Sequence, residues 1–327
     1  MVWFLVVGVL QPKFFSLGTI FSVVDSSDEQ ALLALGFLLL LIAGGIDVSF
    51  DAIGIFAGYS VAALVAEHGF SGSDVIAFLL ACLIGLGLGF VNGLVVVGLR
   101  LPTLIATLGT RALFAGVLLG VIGYNTINSI PGAIGSLGLS NLVSTSVNGQ
   151  SIGLQTALIP VVVAGVAVWA MLNRTVMGRN TYALGSGDEP SRRAGVAVRR
   201  TRMLLFCVAG VLDGAAGMVH VGLGGVANPT DMVGNELTVI AAVVLGGASI
   251  FGGSGSVLGT MLGVFFIQLI MYSLIILGIP SAWDDFAVGF ALLGGILLQL
   301  SGSRGRSLQV GAPRRVKARV LISRLAR

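Results

Sequence analysis

Long apolar runs recur along the chain and are separated by short polar segments. A helix that spans a bilayer needs about 20 predominantly apolar residues. On this criterion the pattern predicts ten transmembrane helices, at roughly 1–20, 31–46, 52–66, 75–99, 103–123, 156–172, 203–226, 237–251, 257–279 and 286–300. Ten spans divide into five plus five, and an odd number in each half would make any internal repeat inverted. The pattern therefore predicts an all-α polytopic membrane protein.

Two of these runs are irregular. The first is interrupted by Gln11, Pro12 and Lys13, and the run 237–251 is short and ends in the glycine-rich segment 246–256. Short, glycine-interrupted segments are typical of the broken helices that line a transport path.

The composition supports a membrane protein and excludes several other classes. Hydrophobic residues make up 56% of the 327 residues, the mean hydropathy is +1.02, and only 10% of the residues are charged, against about 25% in a soluble domain. This excludes an ordinary soluble enzyme, a nucleic-acid-binding protein and a disordered chain. Cys82 and Cys207 lie inside apolar runs without metal-ligand spacing, so no metal or other cofactor is expected.

The basic residues predict the orientation of the spans. All 18 cations except Lys13 and Arg111 fall at Arg100, within 173–202, or in the basic tail 301–327. The positive-inside rule places these three groups in the cytoplasm, and the ten-span count satisfies this. Residues 1–300 are then the membrane domain, 301–327 is a cytoplasmic tail, and both termini are cytoplasmic.

The opposite loops are then external and mainly acidic, and they include Asp25, Asp28 and Glu29. The longest of them, 124–155, is uncharged and rich in Ser, Asn, Gly and Thr. Its sequence is compatible with a loop or with a partly embedded helix.

Ionisable residues inside a span are expensive and mark candidate functional positions. The candidates are Asp47, Asp51, Arg111, Asp213, His220 and Glu236. Asp47 follows two glycines between apolar runs, which predicts a helix break. That break is either a cytoplasmic turn with helix-capping Asp and Ser or a bend that shapes the permeation route.

Arg111 lies in the middle of a span, and the following segment 112–173 offers no counter-charge. It therefore needs a carboxylate from another span or a wet cavity. Glu236 opens an apolar run, where an acid also complements the helix dipole. Asp213 and His220 are two helical turns apart and share a face, so they form either a proton relay or two packed hydrogen-bonding groups.

The segment 173–202 contains the signals of a very short helix. Asp188 is a candidate cap, Pro190 suits a first turn, Arg192 and Arg193 suit a last turn, and Gly195 suits the stop. A helix of under two turns is marginal alone, so we expect a packing partner. The alternative is a solvated, positively charged loop.

The chain has neither a phosphate-binding GxxxxGK[ST] loop nor an evident catalytic Ser/His or Cys/His arrangement. The protein is therefore not expected to be an enzyme. If it transports a solute uphill, the energy must come from an ion gradient or from a separate ATPase.

Four stretches of the chain together resemble the permease subunits of bacterial ABC sugar importers, of the ribose, galactose and autoinducer-2 class. The resemblance extends over about residues 10–300. The four stretches are 45–49, 92–110 with its Asn-Gly and Leu-Pro pairs, 178–195, and 235–260 with its Asn-Glu-Leu and Gly-Gly-Ser-Gly elements.

The resemblance implies a location in the bacterial inner membrane and a set of partners. These are a second permease subunit, identical or paralogous, two cytoplasmic ABC ATPases, an external solute-binding protein, and a sugar or sugar-like substrate. It implies that 173–202 couples the permease to the ATPases through Gly178, Arg179, Gly185, Asp188, Glu189, Arg192, Arg193 and Gly195. We predict a translocation pathway that includes Asp47, Asn92, Arg111 and Glu236.

Three departures from the family pattern stand out. Asp51 replaces a usual glycine, Glu189 and Pro190 replace small or apolar residues, and Ala115 replaces a frequent arginine one turn beyond Arg111. Two competing hypotheses remain at this stage. One is a proton-coupled secondary transporter that uses Asp47, Asp213, His220 and Glu236, and the other is a structural membrane subunit.

Overall fold

The computed structural model describes residues 2–68, 73–128, 130, 140–147 and 150–307. Of the predicted basic tail, residues 301–307 continue the last helix, and the remainder lies outside the described residues.

Helices account for most of the described chain. In chain order they are α1 (Val2–Leu10), α2 (Leu17–Ile42), α3 (Phe50–His68), α4 (Asp74–Leu99), α5 (Thr103–Val117), α6 (Leu158–Arg174), α7 (Val176–Leu184), α8 (Asp188–Arg193), α9 (Val198–Gly224), α10 (Glu236–Leu245), α11 (Val257–Ile276) and α12 (Asp284–Ser307). Short 3₁₀ turns cover Pro12–Phe15 and Ser281–Trp283, and a π-helical turn, Leu118–Ile122, extends α5.

The N-terminal region differs from the prediction. The first predicted span is divided between α1, the 3₁₀ turn and the start of α2, and the predicted acidic outer loop is part of α2. Partners on other elements explain why acidic residues are tolerated in this helix. The Asp25 carboxylate accepts a hydrogen bond from the Gln155 amide at 3.1 Å, and Glu29 contacts His220.

The core of the bundle is built around α2 and α9. Residues 31–42 of α2 are buried on every side, as expected for a helix that is apolar all round. α9 packs most extensively against α4, α3 and α2. Glycines permit the approach to α4, because a methyl group on Gly85 would overlap the Gly210 carbonyl and one on Gly210 would overlap the Gly85 carbonyl.

Several helices have the length and apolar composition of membrane spans. Within the described residues, four satisfy both criteria: Asp74–Leu99, Thr103–Ile122, Val198–Gly224 and Val257–Ile276. A fifth candidate is the pair α6 and α7, which is bent by 79° at Thr175. The protein is therefore an all-α polytopic membrane protein in its spanning part, as predicted.

The segment 124–155, which the sequence left undecided, contains a β-hairpin. Strands β1 (Asn141–Val147) and β2 (Gln150–Gln155) pair antiparallel, with Ser144 opposite Gly153. The hairpin is attached to the helical bundle by the hydrogen bond from Gln155 to Asp25.

Candidate translocation site and coupling segment

The predicted helix break around Asp47 lies between α2 and α3. Gly44 adopts a positive φ of 78° after the end of α2, a conformation that glycine adopts without strain. Asp47 is only 2% exposed, so its carboxylate is buried within the break. Its Oδ1 accepts hydrogen bonds from the Ser49 amide at 2.7 Å and from the Ser49 hydroxyl at 2.6 Å, immediately before α3 begins.

Two further helices are attached to this break by polar contacts. The amide of Asn92, on α4, donates to the Ser49 hydroxyl at 2.6 Å, and the Thr107 hydroxyl, on α5, accepts from the Val48 amide at 3.3 Å. Asp47 and Asn92, both predicted for the pathway, are thus joined through Ser49. Ser49 and Thr107 were not selected from the sequence, although both lie within the stretches that carry the family resemblance.

The other two predicted pathway residues form an ion pair. The Arg111 guanidinium, on α5, contacts the Glu236 carboxylate at the first residue of α10. The expectation that Arg111 needs an acid from another span is confirmed. Glu236 also occupies the first turn of its helix, so it both neutralises Arg111 and complements the α10 dipole.

The Arg111–Glu236 pair lies at the start of a short helix, α10. Its ten residues extend about 15 Å, or half of a hydrocarbon core about 30 Å thick. Its far end leads into the glycine loop at 246–256, which contacts the end of α2. Glu236 and that loop therefore lie at opposite ends of a helix about half as long as a membrane span, and short helices of this kind are typical of the broken helices of transporters.

Two more carboxyl groups are buried beside this region. Asp51 and Asp213 are 0% and 1% exposed, and within the described part of the chain neither carboxylate has a hydrogen-bond partner. Asp51 lies within electrostatic range of Arg111, Glu236 and Asp47. Asp51, which replaces a usual glycine of the family, therefore adds an ionisable group near both polar pairs.

Asp213 and His220 do not form the relay that their spacing suggested. The His220 Nδ1 is 2.7 Å from a Glu29 carboxylate oxygen, and its Nε2 is 3.6 Å from Asp231. No hydrogen bond joins His220 to Asp213 among the described residues. The histidine instead links α9 to α2 and to the segment before α10.

The segment 173–202 is largely helical and contains two short helices. α7 was not predicted. It follows the bend at Thr175, where a methyl group on Gly178 would overlap the Leu172 carbonyl, and Arg179 lies exposed on its surface. α8 is the predicted helix of under two turns, so the solvated-loop alternative is wrong.

α8 is held at its start by a contact that differs from the expected cap. Gly187 is the N-cap residue, so the prediction that Asp188 caps the helix is wrong. The Asp188 carboxylate instead accepts two hydrogen bonds from the Arg202 guanidinium, at 2.7 and 3.2 Å. These hydrogen bonds hold the pKa of Asp188 below its ordinary value of 3.8, against the opposing effect of partial burial.

The end of α8 matches the prediction. Gly195 has a φ of +82°, its amide donates to the Arg192 carbonyl, and the next amide donates to the Ser191 carbonyl, which is a Schellman motif. The buried Ser191 hydroxyl also contacts the carbonyls of Ala183 and Gly187, at 2.8 and 2.7 Å. Ser191, which sequence reasoning missed, provides the packing partner on α7 that so short a helix needs.

The remaining predicted coupling residues differ in their surroundings. Glu189 and Arg193 form an exposed ion pair one turn apart on α8, and Arg192 is exposed beside them.

Gly185, at the end of α7, is packed against backbone from two other segments. A methyl group there would overlap the Gly253 backbone and the Ile42 carbonyl. The Gly253 amide donates to that same Ile42 carbonyl at 2.9 Å. We call Gly44, Gly185, Gly252 and Gly253 the glycine junction. It joins the α7–α8 segment to the end of α2 and to the loop after α10.

Comparison with known proteins agrees with this architecture. Residues 20–296 match the family described as branched-chain amino acid transport system / permease component. The chain belongs to this permease family. Its spanning helices, broken helices and buried polar groups are those of a transmembrane transport subunit.

The permease is also similar to curated proteins named autoinducer 2 import system permease protein LsrC. It is 39% identical to that of Enterobacter sp. (strain 638) and 40% identical to that of Klebsiella pneumoniae subsp. pneumoniae, over 90% of this chain and 82% of each relative. The relative from Yersinia pestis (strain Pestoides F) is 36% identical over 89% of this chain and 80% of its own length. No solved structure matches the permease.

These relationships identify the protein as a multi-pass permease subunit of a bacterial ABC importer, located in the inner membrane. They favour the ABC importer over the proton-coupled alternative. The family description and the names of the relatives refer to different solutes, so membership of the family does not by itself identify the substrate.

Proposed function

We propose that this permease imports a sugar-like solute of the autoinducer-2 kind, driven by ATP hydrolysis on separate cytoplasmic subunits. The observation that carries the proposal is the Arg111–Glu236 pair at the start of the half-length helix α10. Together with the Asp47–Ser49–Asn92 network, it offers charged and hydrogen-bonding groups at the depth where a polar solute must leave water. The similarity to LsrC proteins supports the solute class.

The direct test is uptake by the reconstituted permease with its ATPases and solute-binding protein. Uptake of autoinducer-2 should continue when a protonophore collapses the proton gradient and should stop when ATP is removed. A proton-coupled carrier would show the opposite pattern. ATP-driven uptake of another sugar in preference to autoinducer-2 would contradict the solute class alone.

We also propose ten membrane crossings with both termini in the cytoplasm. Contacts between segments support this orientation from α2 onward, because segments assigned to the same side meet. The glycine junction joins three segments assigned to the cytoplasmic side. On the opposite side, the Tyr59 hydroxyl donates to the Asn125 carbonyl at 2.8 Å, and Ile127 pairs with Ala227. The Trp3 indole, by contrast, donates to the Ser273 hydroxyl near the proposed external end of α11 at 2.8 Å, a contact that does not support a crossing by α1.

Cysteine labelling tests the topology. Cysteines at Ser186 and Ser303 should react with a membrane-impermeant reagent only from the cytoplasm, and a cysteine at Ser140 only from outside. External labelling at position 186 would contradict the ten-span arrangement.

We propose that α8 is the element that receives the motion of the ATPases. It protrudes on the proposed cytoplasmic side, it is attached to α7 by Ser191 and to α9 by the Asp188–Arg202 pair, and Arg192 is free of ion pairs within the described residues. The glycine junction would transmit its displacement to the loop that precedes α11 and follows α10.

A charge-matched pair of variants tests this role. Arg192→Glu with Arg193→Glu should insert normally, because the other arginines of 173–202 remain, and should lose ATPase binding or solute-stimulated ATP hydrolysis. The control, Arg174→Glu with Arg200→Glu, makes the same change of charge outside α8 and should retain both. Equal behaviour of the two variants would contradict a coupling role for α8.

The same proposal implies the further partners, which are a second permease subunit, identical or paralogous, and an external binding protein. Cross-linking of the permease carrying a single cysteine, with native mass measurement of the purified complex, should find two permease subunits for two ATPases. A complex with one permease subunit would contradict this assembly.

A further inference from the structure

A basic cavity of about 290 Å³ lies where α4 ends and α8 meets α9. Its polar lining consists of Arg100, Arg192, Arg199, Arg202 and Asp188, and its apolar lining includes Val97. The cavity is thus formed by three separate parts of the chain. It is distinct from the Arg111–Glu236 region.

The charges around the cavity are not balanced within the described residues. Arg202 is neutralised by Asp188, which accepts two hydrogen bonds from it. Arg100, Arg192 and Arg199 are exposed and make no ion pair in the part of the chain that the structure describes. Four guanidinium groups and a single carboxylate therefore line the cavity, which leaves it a net positive charge. Guanidinium groups bind phosphate oxygens through paired, charge-assisted hydrogen bonds.

An apolar strip on α4 leads directly to this cavity. Leu79, Leu83, Leu86, Phe90 and Leu94 are exposed and recur at intervals of three or four residues, so they share one helix face. Val97 continues the same spacing and lines the cavity. A ligand with an anionic head and long apolar chains fits this arrangement, whereas a free phosphate ion would use the arginines and leave the strip unused.

We propose that the cavity binds the phosphodiester headgroup of an anionic phospholipid of the cytoplasmic leaflet, with its acyl chains along the Leu79–Val97 face of α4. This inference rests on the proposed topology, which places the cavity at the cytoplasmic surface. Basic pockets between membrane helices on that side are suited to anionic headgroups. Because Arg192 belongs to α8, the bound lipid also braces the proposed coupling helix against α4 and α9.

Lipid binding to the purified full-length permease, without ATPases or solute, provides the test. The protein is reconstituted in phosphatidylcholine nanodiscs with increasing fractions of phosphatidylglycerol, and the lipid retained is measured by native mass spectrometry. Arg100→Gln with Arg199→Gln leaves α8 unchanged and should raise the half-saturating phosphatidylglycerol fraction at least fivefold. The control, Arg174→Gln with Arg200→Gln, should stay within twofold of the native protein.

Three outcomes would overturn the proposal. Equal lipid retention by the two double variants would show that the cavity does not select the headgroup. Displacement of phosphatidylglycerol by millimolar inorganic phosphate would indicate a soluble phosphate ligand. In a separate binding assay with the ATPases added, lost ATPase binding by the Arg100/Arg199 variant together with native lipid retention would make the cavity a docking surface for the ATPase.

Failure of the proposed topology would be seen separately. A cysteine at Arg199 that reacts only from outside would place the cavity on the other side of the membrane, whatever its affinity for lipid. The lipid measurement itself does not depend on transport. If the native permease retained lipid as expected but showed no ATP-driven uptake of autoinducer-2, only the proposed transport function would be contradicted.

Discussion

The membrane interior and the α8 segment each contain an arginine–carboxylate pair, but in different surroundings. In the Arg111–Glu236 pair the side chains are 28% and 13% exposed, and in the Arg202–Asp188 pair they are 22% and 44% exposed. The carboxylate of the first pair is much less exposed than that of the second, which adjoins an open, basic cavity. Loss of the partner should therefore have a larger effect at Glu236 than at Asp188, because a buried carboxylate is harder to solvate.

The largest expected effect follows from breaking the interior pair. Arg111→Leu leaves the Glu236 carboxylate without its cation, and Glu236→Gln leaves the guanidinium without its anion. Each should insert and fold but lower the initial rate of ATP-driven uptake at least about tenfold, the change that 1.4 kcal/mol produces. Uptake in proteoliposomes and the thermal unfolding midpoint in detergent measure the two effects.

The double variant Arg111→Leu with Glu236→Gln separates folding from transport. It removes both charges, so its unfolding midpoint should return toward the native value while its uptake stays low. Full uptake by Arg111→Leu would show that the arginine is a bystander.

Alanine substitutions at Gly185 and Gly195 allow the cost of steric overlap to be compared with the cost of backbone strain. Gly185→Ala introduces a methyl group into the glycine junction, where it overlaps backbone atoms of Gly253 and Ile42, so it should destabilise the protein by about 3 kcal/mol or more. The methyl group of Gly195→Ala would meet no neighbouring atom, but the alanine would have to keep a φ of +82°. This left-handed conformation costs a residue other than glycine roughly 1–2 kcal/mol. Thermal unfolding of both variants should therefore give a clearly lower midpoint for Gly185→Ala.

Gly195→Asn serves as the control, because asparagine tolerates the left-handed conformation better than alanine. It should unfold at a higher temperature than Gly195→Ala. An equal loss in Gly185→Ala and Gly195→Ala would show that the glycine junction has room to adjust.

The pair at Asp188 predicts a dependence on pH. Since Arg202 lowers the pKa of Asp188 in the folded protein, the pair contributes stability above the ordinary pKa of 3.8, and this contribution is lost as the pH falls through the lowered value. Proteolysis within 185–202 should accelerate below about pH 4. Asp188→Asn should be cleaved faster at neutral pH and show less acceleration in acid, and an unchanged acid response would exclude this pair as the cause.

The smallest effect is expected at the exposed pair on α8. Glu189 and Arg193 are 65% and 78% exposed, and such pairs one turn apart contribute about 0.3–0.5 kcal/mol. Glu189→Gln should therefore leave the unfolding midpoint almost unchanged. A drop as large as that of Gly195→Ala would show that Glu189 has a partner other than Arg193.

The sequence predicted local features, such as the end of a helix, better than it predicted which side chains pair with one another. Gly195 was correctly predicted to end α8, because a helix stop depends on the conformation of a few neighbouring residues. Asp188 was incorrectly assigned as the cap, because its carboxylate bonds to Arg202 on the next helix. The requirement of Arg111 for an acid was correct, but the identity of that acid depended on how α5 and α10 pack.

The errors at the ends of the spans have a related cause. Asp25 and Glu29 were placed in a loop because acidic residues are unfavourable in an isolated membrane helix, yet both lie in α2 with partners on β2 and α9. The β-hairpin carries no charge and shows no clear helical or strand periodicity in the sequence. Its pairing depends on residues brought together across a turn.

The sequence by itself determined that this protein is a helical membrane protein of the permease family, because apolar run length, composition and family motifs can be detected along the chain. The tertiary structure alone decided that Glu236 pairs with Arg111, that Ser49 joins Asp47 to Asn92, and that the glycine junction connects α2, α7 and the loop after α10. These contacts join residues far apart in sequence. They arise from the close packing of helices, and periodicity along one helix does not specify the neighbour that it will meet.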